Sequence, residues 1–433
     1  MTPPTAASRR KFIRKAALTV GAFTIVPRFV LGKGFTPPSD KFTIAFVGTG
    51  KQGRGLANRF TQLPAVQIVG ACDVEQQKLA LFGKIVGEKY AAVQGMTDYK
   101  GLFTTGDYLQ IVDREGIDGI VVATPDHWHA APAIAALNAG KHVYCEKPLS
   151  HTLEEGRAMV DAARKNNKVL QTGSMQRSND NFRKACELVR NGYVGEITKV
   201  LVSVGDPARP CDLPAEPQPA HLDWDRWVGP AEMRPFNAIL SPPVEEDIFP
   251  RWRWYREFGG GILADWGAHM FDIAQWGLGM DDSGPVELIP PKDPAALRGV
   301  RMIYANGVEM VHEEFDRGWG VRFIGTGGTL DISRQYLDSK PENIVTATIK
   351  DGETHLYKSE DHYMDWVNAA RNGTRPICDA EIGHRSAAVC HLGNIAYRLG
   401  RTLTWDPVKE KFKGDGAANK LRSKKYRKPY KLS

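Results

Sequence analysis

Three glycines, Gly48, Gly50 and Gly53, stand at a spacing that brings backbone close to a pyrophosphate. They follow the apolar run Phe42–Val47 and open a stretch of helical character, with Lys51 and Gln52 between the second and third. In a strand–turn–helix unit the first glycine permits the tight turn, the second the approach of phosphate, and the third close packing of helix on strand. The helix N-terminus then presents free N–H groups to the phosphates. Asp73 lies twenty residues beyond Gly53, after a second apolar run, Val66–Cys72. A carboxylate there accepts from the adenine ribose 2′-hydroxyl and repels a 2′-phosphate, so the spacing predicts NAD rather than NADP. Read singly, the loop is also a plain strand–helix turn, and Asp73 also a helix N-cap. The loop 124–129 follows another strand-like run, at the same sheet edge. Its Thr124, Pro125 and His129 are expected on the nicotinamide half of the crevice. His127 and His129 would serve equally as loop or capping residues.

Two further motifs add chemistry. Cys145-Glu146-Lys147-Pro148 follows the next strand-like run, and about 110 residues later comes Gly259-Gly260-Gly261-Ile262-Leu263-Ala264-Asp265-Trp266-Gly267-Ala268-His269. Together with the glycine loop these resemble the Gfo/Idh/MocA oxidoreductase family, from about Phe42 to the C-terminus. The resemblance implies an N-terminal Rossmann domain, a C-terminal α/β domain with one open sheet face, and dimers or tetramers formed through that face. It places Glu146 and Lys147 beside the cofactor, with a cis bond from Lys147 to Pro148. It makes Lys147, His269 and Asp265 the catalytic set. Oxidising a secondary alcohol requires a base for the hydroxyl proton and a positive charge for the developing alkoxide. Lys147 supplies the charge in this reading. His269 is the acid/base, its pKa ordinarily near working pH. Asp265, four residues earlier and thus on one helix face, orients it or bonds the substrate. Asp272, one turn on, is expected to assist. Family analogy puts Arg177 near the substrate. Alternatives stand beside these roles: a surface lysine, a helix salt bridge, or a metal site that lacks a third ligand in any comparable motif. Six of the ten tryptophans fall between 224 and 276. Trp254, with Arg251 and Arg253 nearby, suits the C–H face and hydroxyls of a sugar, although core packing explains most such rings.

The elements that must hold these residues follow from periodicity. Short apolar runs alternate with helical segments up to about residue 167, including a helix at 54–62 and another at 130–139 closed by Gly140. That alternation predicts a doubly wound parallel sheet over 41–167. Beyond it, runs at 197–204, 300–304, 308–315, 321–324 and 344–350 are apolar on one face, which predicts a mostly antiparallel, open-faced sheet over 168–408. Residues 205–256, rich in Pro, Trp and charge, read as a long ordered insertion. Helices are expected at His362–Asn372 and 382–399.

Charge is concentrated at the ends. The net charge of +7 includes seven Lys/Arg and no acid in residues 1–33, and ten Lys/Arg against two acids in 409–433. The body between holds 40 basic and 48 acidic residues, an acidic balance that argues against nucleic-acid binding. The basic tail 409–433 is expected as a solvated strand on that body. Six separated cysteines form neither a disulfide framework nor a zinc site. Ser8-Arg9-Arg10-Lys11-Phe12-Ile13 before a modest apolar run reads as a twin-arginine leader over 1–33, implying the twin-arginine export machinery and a periplasmic or otherwise exported protein, anchored if uncleaved. Outside the cytoplasm no free NAD pool exists, so the cofactor is expected to travel bound. The expected function is hydride transfer between a secondary alcohol of a sugar, glycoside or polyol and tightly bound NAD. The alternative is an NAD-assisted glycoside hydrolase or lyase working through a transient keto-sugar. Family glycosidases of that kind often lack the lysine of the Glu-Lys-Pro motif, which Lys147 retains. A non-catalytic sugar-binding module is the third reading.

Overall fold

The first sheet forms because its strands bury both faces. Strand β4 (Gly119–Val122) is buried throughout, as are five of the six residues of β1 (Phe42–Val47); such continuous apolar runs belong in a parallel sheet covered on both sides. With β2 (Val66–Cys72), β3 (Phe103–Thr105), β5 (His142–Cys145) and β6 (Leu170–Thr172) they make a six-stranded parallel sheet in the order β3-β2-β1-β4-β5-β6. This is the doubly wound Rossmann order, with its crevice at the carboxyl ends of β1 and β4. These facts come from a computed structural model that describes residues 40–95 and 99–432. The expected leader over 1–33 lies outside them.

Helices α1 (Lys51–Phe60), α2 (Gln76–Gln94), α3 (Tyr108–Val112), α4 (Ala130–Asn138) and α5 (Leu153–Lys165) connect the strands. Helix α5 shows why its ends fall where they do. The Thr152 side chain accepts from Glu155 N, acids fill its first turn, and Arg164 and Lys165 its last, each complementing the helix dipole.

The second sheet has nine strands: β7 (Ile197–Ser203), β8 (Glu287–Ile289), β9 (Arg301–Ile303), β10 (Glu309–His312), β11 (Gly320–Gly325), β12 (Gly328–Ile332), β13 (Leu337–Lys340), β14 (Leu403–Asp406) and β15 (Lys411–Phe412). Their order is β13-β12-β11-β7-β10-β9-β8-β14-β15, antiparallel except for β7 with β10. One face packs on α6 (Asp180–Arg190), and the sheet also meets two long helices, α9 (Gly267–Leu278) and α12 (Ala380–Leu399). The other face carries ion pairs, Lys199 and Arg301 on Glu309, and Arg317 and Arg322 on Asp331.

Four expectations are corrected. Residues 344–350 form no strand: Pro341, which cannot donate to a ladder, ends β13, and the short helix α10 (Asn343–Thr346) follows. The boundary at 167/168 is not a seam, because β6 completes the first sheet. Nor is 168–408 one layer, since helix α11 (His362–Asn372) packs into the first domain. Trp366 sits 5.5–5.9 Å, ring to ring, from Phe42, Phe60 and Tyr144, and a Cβ on Gly119 would lie 2.8 Å from it. The basic tail is folded rather than solvated. It forms β15 and helix α13 (Gly416–Lys420), then runs back over the first domain. There Lys424 pairs with Glu155 at 2.7 Å, and beside it Arg427 pairs with Asp225 of the insertion at 2.7 Å.

Candidate active site

A cavity of about 960 Å³ runs from the glycine loop to the first turn of α9, at the upper end of the usual range for ligand sites. At its phosphate end Gly48 has φ +95°, and a Cβ there would fall 2.6 Å from the Ala123 carbonyl. A Cβ on Gly53 would lie 2.3 Å from Gly48 O, whereas one on Gly50 would meet nothing within 4 Å. Two glycines are thus demanded by packing. The third, Gly50, keeps space open at the head of α1, whose N-cap position has no side-chain hydrogen bond. A phosphate accepts from the free N–H groups there.

Asp73 also lines the cavity. Its Oδ2 accepts from Thr49 N at 2.7 Å and Thr49 Oγ1 at 2.8 Å, and its Oδ1 from Glu75 N at 3.0 Å. It is not the cap of α2; Glu75 is, accepting from Gln77 N and Lys78 N. Gln52 Nε2 donates to Glu146 Oε1 at 2.8 Å, joining the glycine loop to the Glu-Lys-Pro turn. Burial raises the Glu146 pKa. Lys51 leaves the loop to pair with Asp247 in the insertion, 3.3 Å away, and Arg54 reaches the same carboxylate at 2.8 Å. Thr124 and Pro125 line the cavity, and the buried Thr124 Oγ1 has no partner. His129 faces Pro148 O at 2.8 Å and Thr124 O at 3.0 Å, bracing one loop against the other. Burial lowers its pKa to about 4.

At the other end Lys147 Nζ donates to Asp265 Oδ1 at 2.7 Å and to Asp265 O at 2.9 Å. The Lys147–Pro148 peptide is cis. Arg253 Nε reaches the same Oδ1 at 3.2 Å. Burial works against the Asp265 charge, but the two cations outweigh it and hold the pKa at about 2. Asp265 and His269 do not share one helix. The first ends α8 (Gly261–Asp265) and the second lies in α9, with Trp266 between, yet both line the cavity. The pKa of His269 is not near neutrality: burial, then the charges of Lys147 and Arg334, push it well below the usual range. Its Nδ1 is buried without a partner among the described residues, and the residue lines the cavity.

Two predicted substrate contacts are absent from the cavity lining. Arg177 and Asp272 are sealed in the core, 1% and 0% exposed. Arg177 Nε reaches Asp272 at 2.9 Å, its Nη2 reaches Asp281 at 2.7 Å, and Ser386 Oγ donates to Asp272 at 2.6 Å. A buried guanidinium needs such partners, and they use up the groups a substrate would require. Trp254 does line the cavity, with Arg251 over its ring at 4.9 Å; so does Trp227 of helix α7 (Trp224–Val228), whereas Trp224, stacked on it, stays in the insertion's own core.

The sequence did not signal every lining residue. Asp126 is buried, its Oδ2 has no partner, and burial followed by the Asp265 charge lifts its pKa to about 8. It stood in the loop 124–129, but nothing in that loop distinguished it. Arg334 comes from the turn after β12, and Tyr430 from the returning tail, its ring 5.3 Å from Trp128. Neither carries a sequence signal, because only tertiary packing brings them in.

The fold and site agree with what the chain resembles elsewhere. Residues 42–174 match the model for the oxidoreductase family, NAD-binding Rossmann fold (Gfo/Idh/MocA). Residues 208–432 match the family's C-terminal alpha/beta domain. A glycosyl hydrolase family 109 protein of Shewanella sp. (strain W3-18-1) is 28% identical over 212 residues, 44% of each chain. The 1,5-anhydro-D-fructose reductase of Ensifer adhaerens is 28% identical over 259 residues, 57% of this chain and 66% of that protein. The chain therefore spans less than half the length of that glycosyl hydrolase relative. The WlbA dehydrogenase of Bordetella pertussis, solved with NADH and UDP-GlcNAcA, aligns at TM-score 0.58 and 18% identity over 84% of this chain and 99% of that one. The aldose–aldose oxidoreductase of Caulobacter crescentus aligns at 0.57 and 20% over 84% and 99%. At such identities these structures speak for the fold. The two family models meet the Rossmann order and the open second sheet on the same residues, and the chain belongs to the Gfo/Idh/MocA oxidoreductase family.

Proposed function

We propose that the protein oxidises or re-forms a secondary alcohol of a sugar, glycoside or polyol, using tightly held NAD. The observation carrying this reading is a single cavity that joins the glycine loop to Lys147, Asp265 and His269. When bound, the dinucleotide supplies the hydride acceptor or donor. The head of α1 would hold its phosphates, Asp73 its adenine ribose, and Thr124 and Pro125 its nicotinamide half. The Asp73 carboxylate supports NAD over NADP.

The chain's own groups do the rest. The Lys147 ammonium, fixed by two contacts to Asp265, stabilises charge on the substrate oxygen. His269 Nε2 takes the hydroxyl proton in oxidation and returns it in reduction. Asp126, its pKa lifted to about 8 by burial and by Asp265, adds little negative charge beside Asp265, so Lys147 and Arg253 are not drawn away from it. Nucleotide released from the denatured protein, identified by mass spectrometry, tests the cofactor. Reduced-nicotinamide absorbance across a panel of sugars and polyols tests the reaction. Absence of bound nucleotide, together with no reduction of added NAD by any of them, would sink the reading.

The family 109 relatives favour a second reading, redox-assisted glycoside cleavage. Release of nitrophenol from aryl glycosides, lost in Lys147→Met, would select it. We also propose export with cofactor bound, supported by the Arg9-Arg10 leader; cell fractionation of an Arg9→Lys, Arg10→Lys variant tests this through retention in the cytoplasm.

A further inference from the structure

Arg334 reaches the cavity from the turn that joins β12 to β13. That turn is braced internally: Ser333 N donates to Tyr336 O at 2.9 Å and Gln335 N to Ser333 Oγ at 3.0 Å. The guanidinium lies over the Trp266 ring at 4.5 Å. With the Gln176 amide oriented to satisfy its neighbours, Arg334 Nε donates to the Gln176 oxygen at 3.2 Å, and the Gln176 nitrogen donates to His269 O at 3.0 Å. One face and one nitrogen of the guanidinium are thereby fixed beside His269. Its two terminal nitrogens remain, and no acid among the described residues raises its pKa, which burial alone lowers. Lys147 and Arg253, by contrast, already share Asp265. An oriented guanidinium with two free donors is the fork that meets a carboxylate or other oxyanion.

We propose that Arg334 reads an oxyanion substituent on the substrate, so that the preferred sugar is an acidic one, a uronic acid or uronoside before a neutral hexose. The inference rests on the oxidoreductase reading for its turnover but not for its binding. Charge balance supports it: four cations at this end of the cavity, Lys147, Arg251, Arg253 and Arg334, outnumber the carboxylates Asp265 and Glu146, and burial works against the charge on Glu146 and on Asp126. Trp266, held at 4.8 Å by Trp319, lines the same end of the cavity and backs the guanidinium, so the fork is fixed in place rather than free to swing away. The groups acting on His269 are Lys147, Arg334 and His362, which lower its pKa, and Asp265, which raises it. An anion on Arg334 cancels one of the lowering charges and makes His269 a better proton acceptor when the right substrate is in place.

Three matched pairs test the inference: glucuronate with glucose, galacturonate with galactose and mannuronate with mannose, plus glucose 6-phosphate as the phosphate arm. Each is titrated by intrinsic tryptophan fluorescence and assayed by reduced-nicotinamide absorbance. The expected result is that at least one uronate binds tenfold or more tighter than its neutral partner. In Arg334→Met that preference falls to about twofold or less, and Arg334→Lys keeps part of it. A matching gain for the 6-phosphate alone would assign the oxyanion as phosphate and overturn the uronate. Equal binding of all pairs by the wild type overturns the inference, even where both sugars are oxidised. A uronate preference in binding with no turnover of any sugar overturns the oxidoreductase reading instead.

Discussion

Two carboxylates separated by seven residues, Asp265 and Asp272, both sit buried against a cation from the first domain or its edge, and they have opposite fates. Asp265 holds Lys147 at the wall of a cavity, with one further cation, Arg253, on the same oxygen. Asp272 holds Arg177 where neither has measurable access to solvent, with Asp281 and Ser386 completing the cage. Motif and burial look alike in both. What separates them is the bond count. The Arg177 cage is filled by protein groups, whereas the Lys147 cluster adjoins buried polar atoms without partners, on Asp126 and His269. Unmet donors and acceptors beside a cavity mark the place where a ligand completes the structure.

The largest effect that bears on this contrast is expected at the sealed pair. Asp272→Ala strips a buried guanidinium of its main partner and should cost about 3–5 kcal/mol, read as a shift in the urea midpoint. Molecules that still fold should turn over within twofold of wild type. A strong loss of turnover at unchanged stability would erase the distinction between the two sites. The reverse pattern is expected at Lys147→Met: turnover of sugar down by about 10²–10³-fold, with a stability loss of about 1–2 kcal/mol as Asp265 keeps only Arg253, smaller than that of Asp272→Ala. Unfolding of that variant would make Lys147 structural.

The pH dependence of stability sharpens the same comparison at a smaller scale. Asp265 titrates at about 2 in the folded protein and at about 3.9 when unfolded. The depressed value means its contribution is fully present above about pH 4 and is lost as pH falls toward 2, on the order of 2 kcal/mol in all. The stability gap between wild type and Asp265→Asn should therefore narrow across that window; a gap constant from pH 6 to 2 would contradict the ion-pair account. Smallest is Asp73, which is part structural and part exposed to the cavity. Asp73→Ala should weaken NAD binding by about tenfold, roughly the worth of one or two hydrogen bonds, measured by calorimetry on cofactor-free protein. A gain in NADP affinity is expected in the same variant.

Legibility in the sequence followed locality. β1, β2, β4 and β5 announce themselves because burial on both faces forces continuous apolar runs. The glycine loop is equally local: Gly48 and Gly53 pack on each other within one strand–turn–helix unit, and only their contact with Ala123, at the end of β4, is long-range. The family motifs brought Lys147 and Asp265 into one catalytic set, but their direct pairing across 118 positions was not foreseen, because Asp265 was assigned to His269 or the substrate. Arg177 and Asp272 were misplaced because charge in a motif reads as function until the partner that neutralises it is seen. Ile344, Val345 and Thr346 carry strand-like composition, yet Pro341 and the Ser339 hydroxyl, which accepts from Val345 N, turn them into a helix. Arg334 and Asp126 had no pattern to betray them. The role of each depends on what lies across the cavity.

Trp366 carries a consequence for how the molecule is assembled. Its ring seals against Phe42, Phe60 and Tyr144, so the first sheet's outer layer is finished by a helix drawn from far along the chain. Residue 174, where the first family model stops, is a boundary of descent and not a place to cut. A fragment ending there leaves those three rings bare and should be sticky in solution. Closing so long a loop is slow relative to local helix and hairpin formation. The outer layer of the first sheet is therefore expected to close late, after the second sheet has delivered α11 to it.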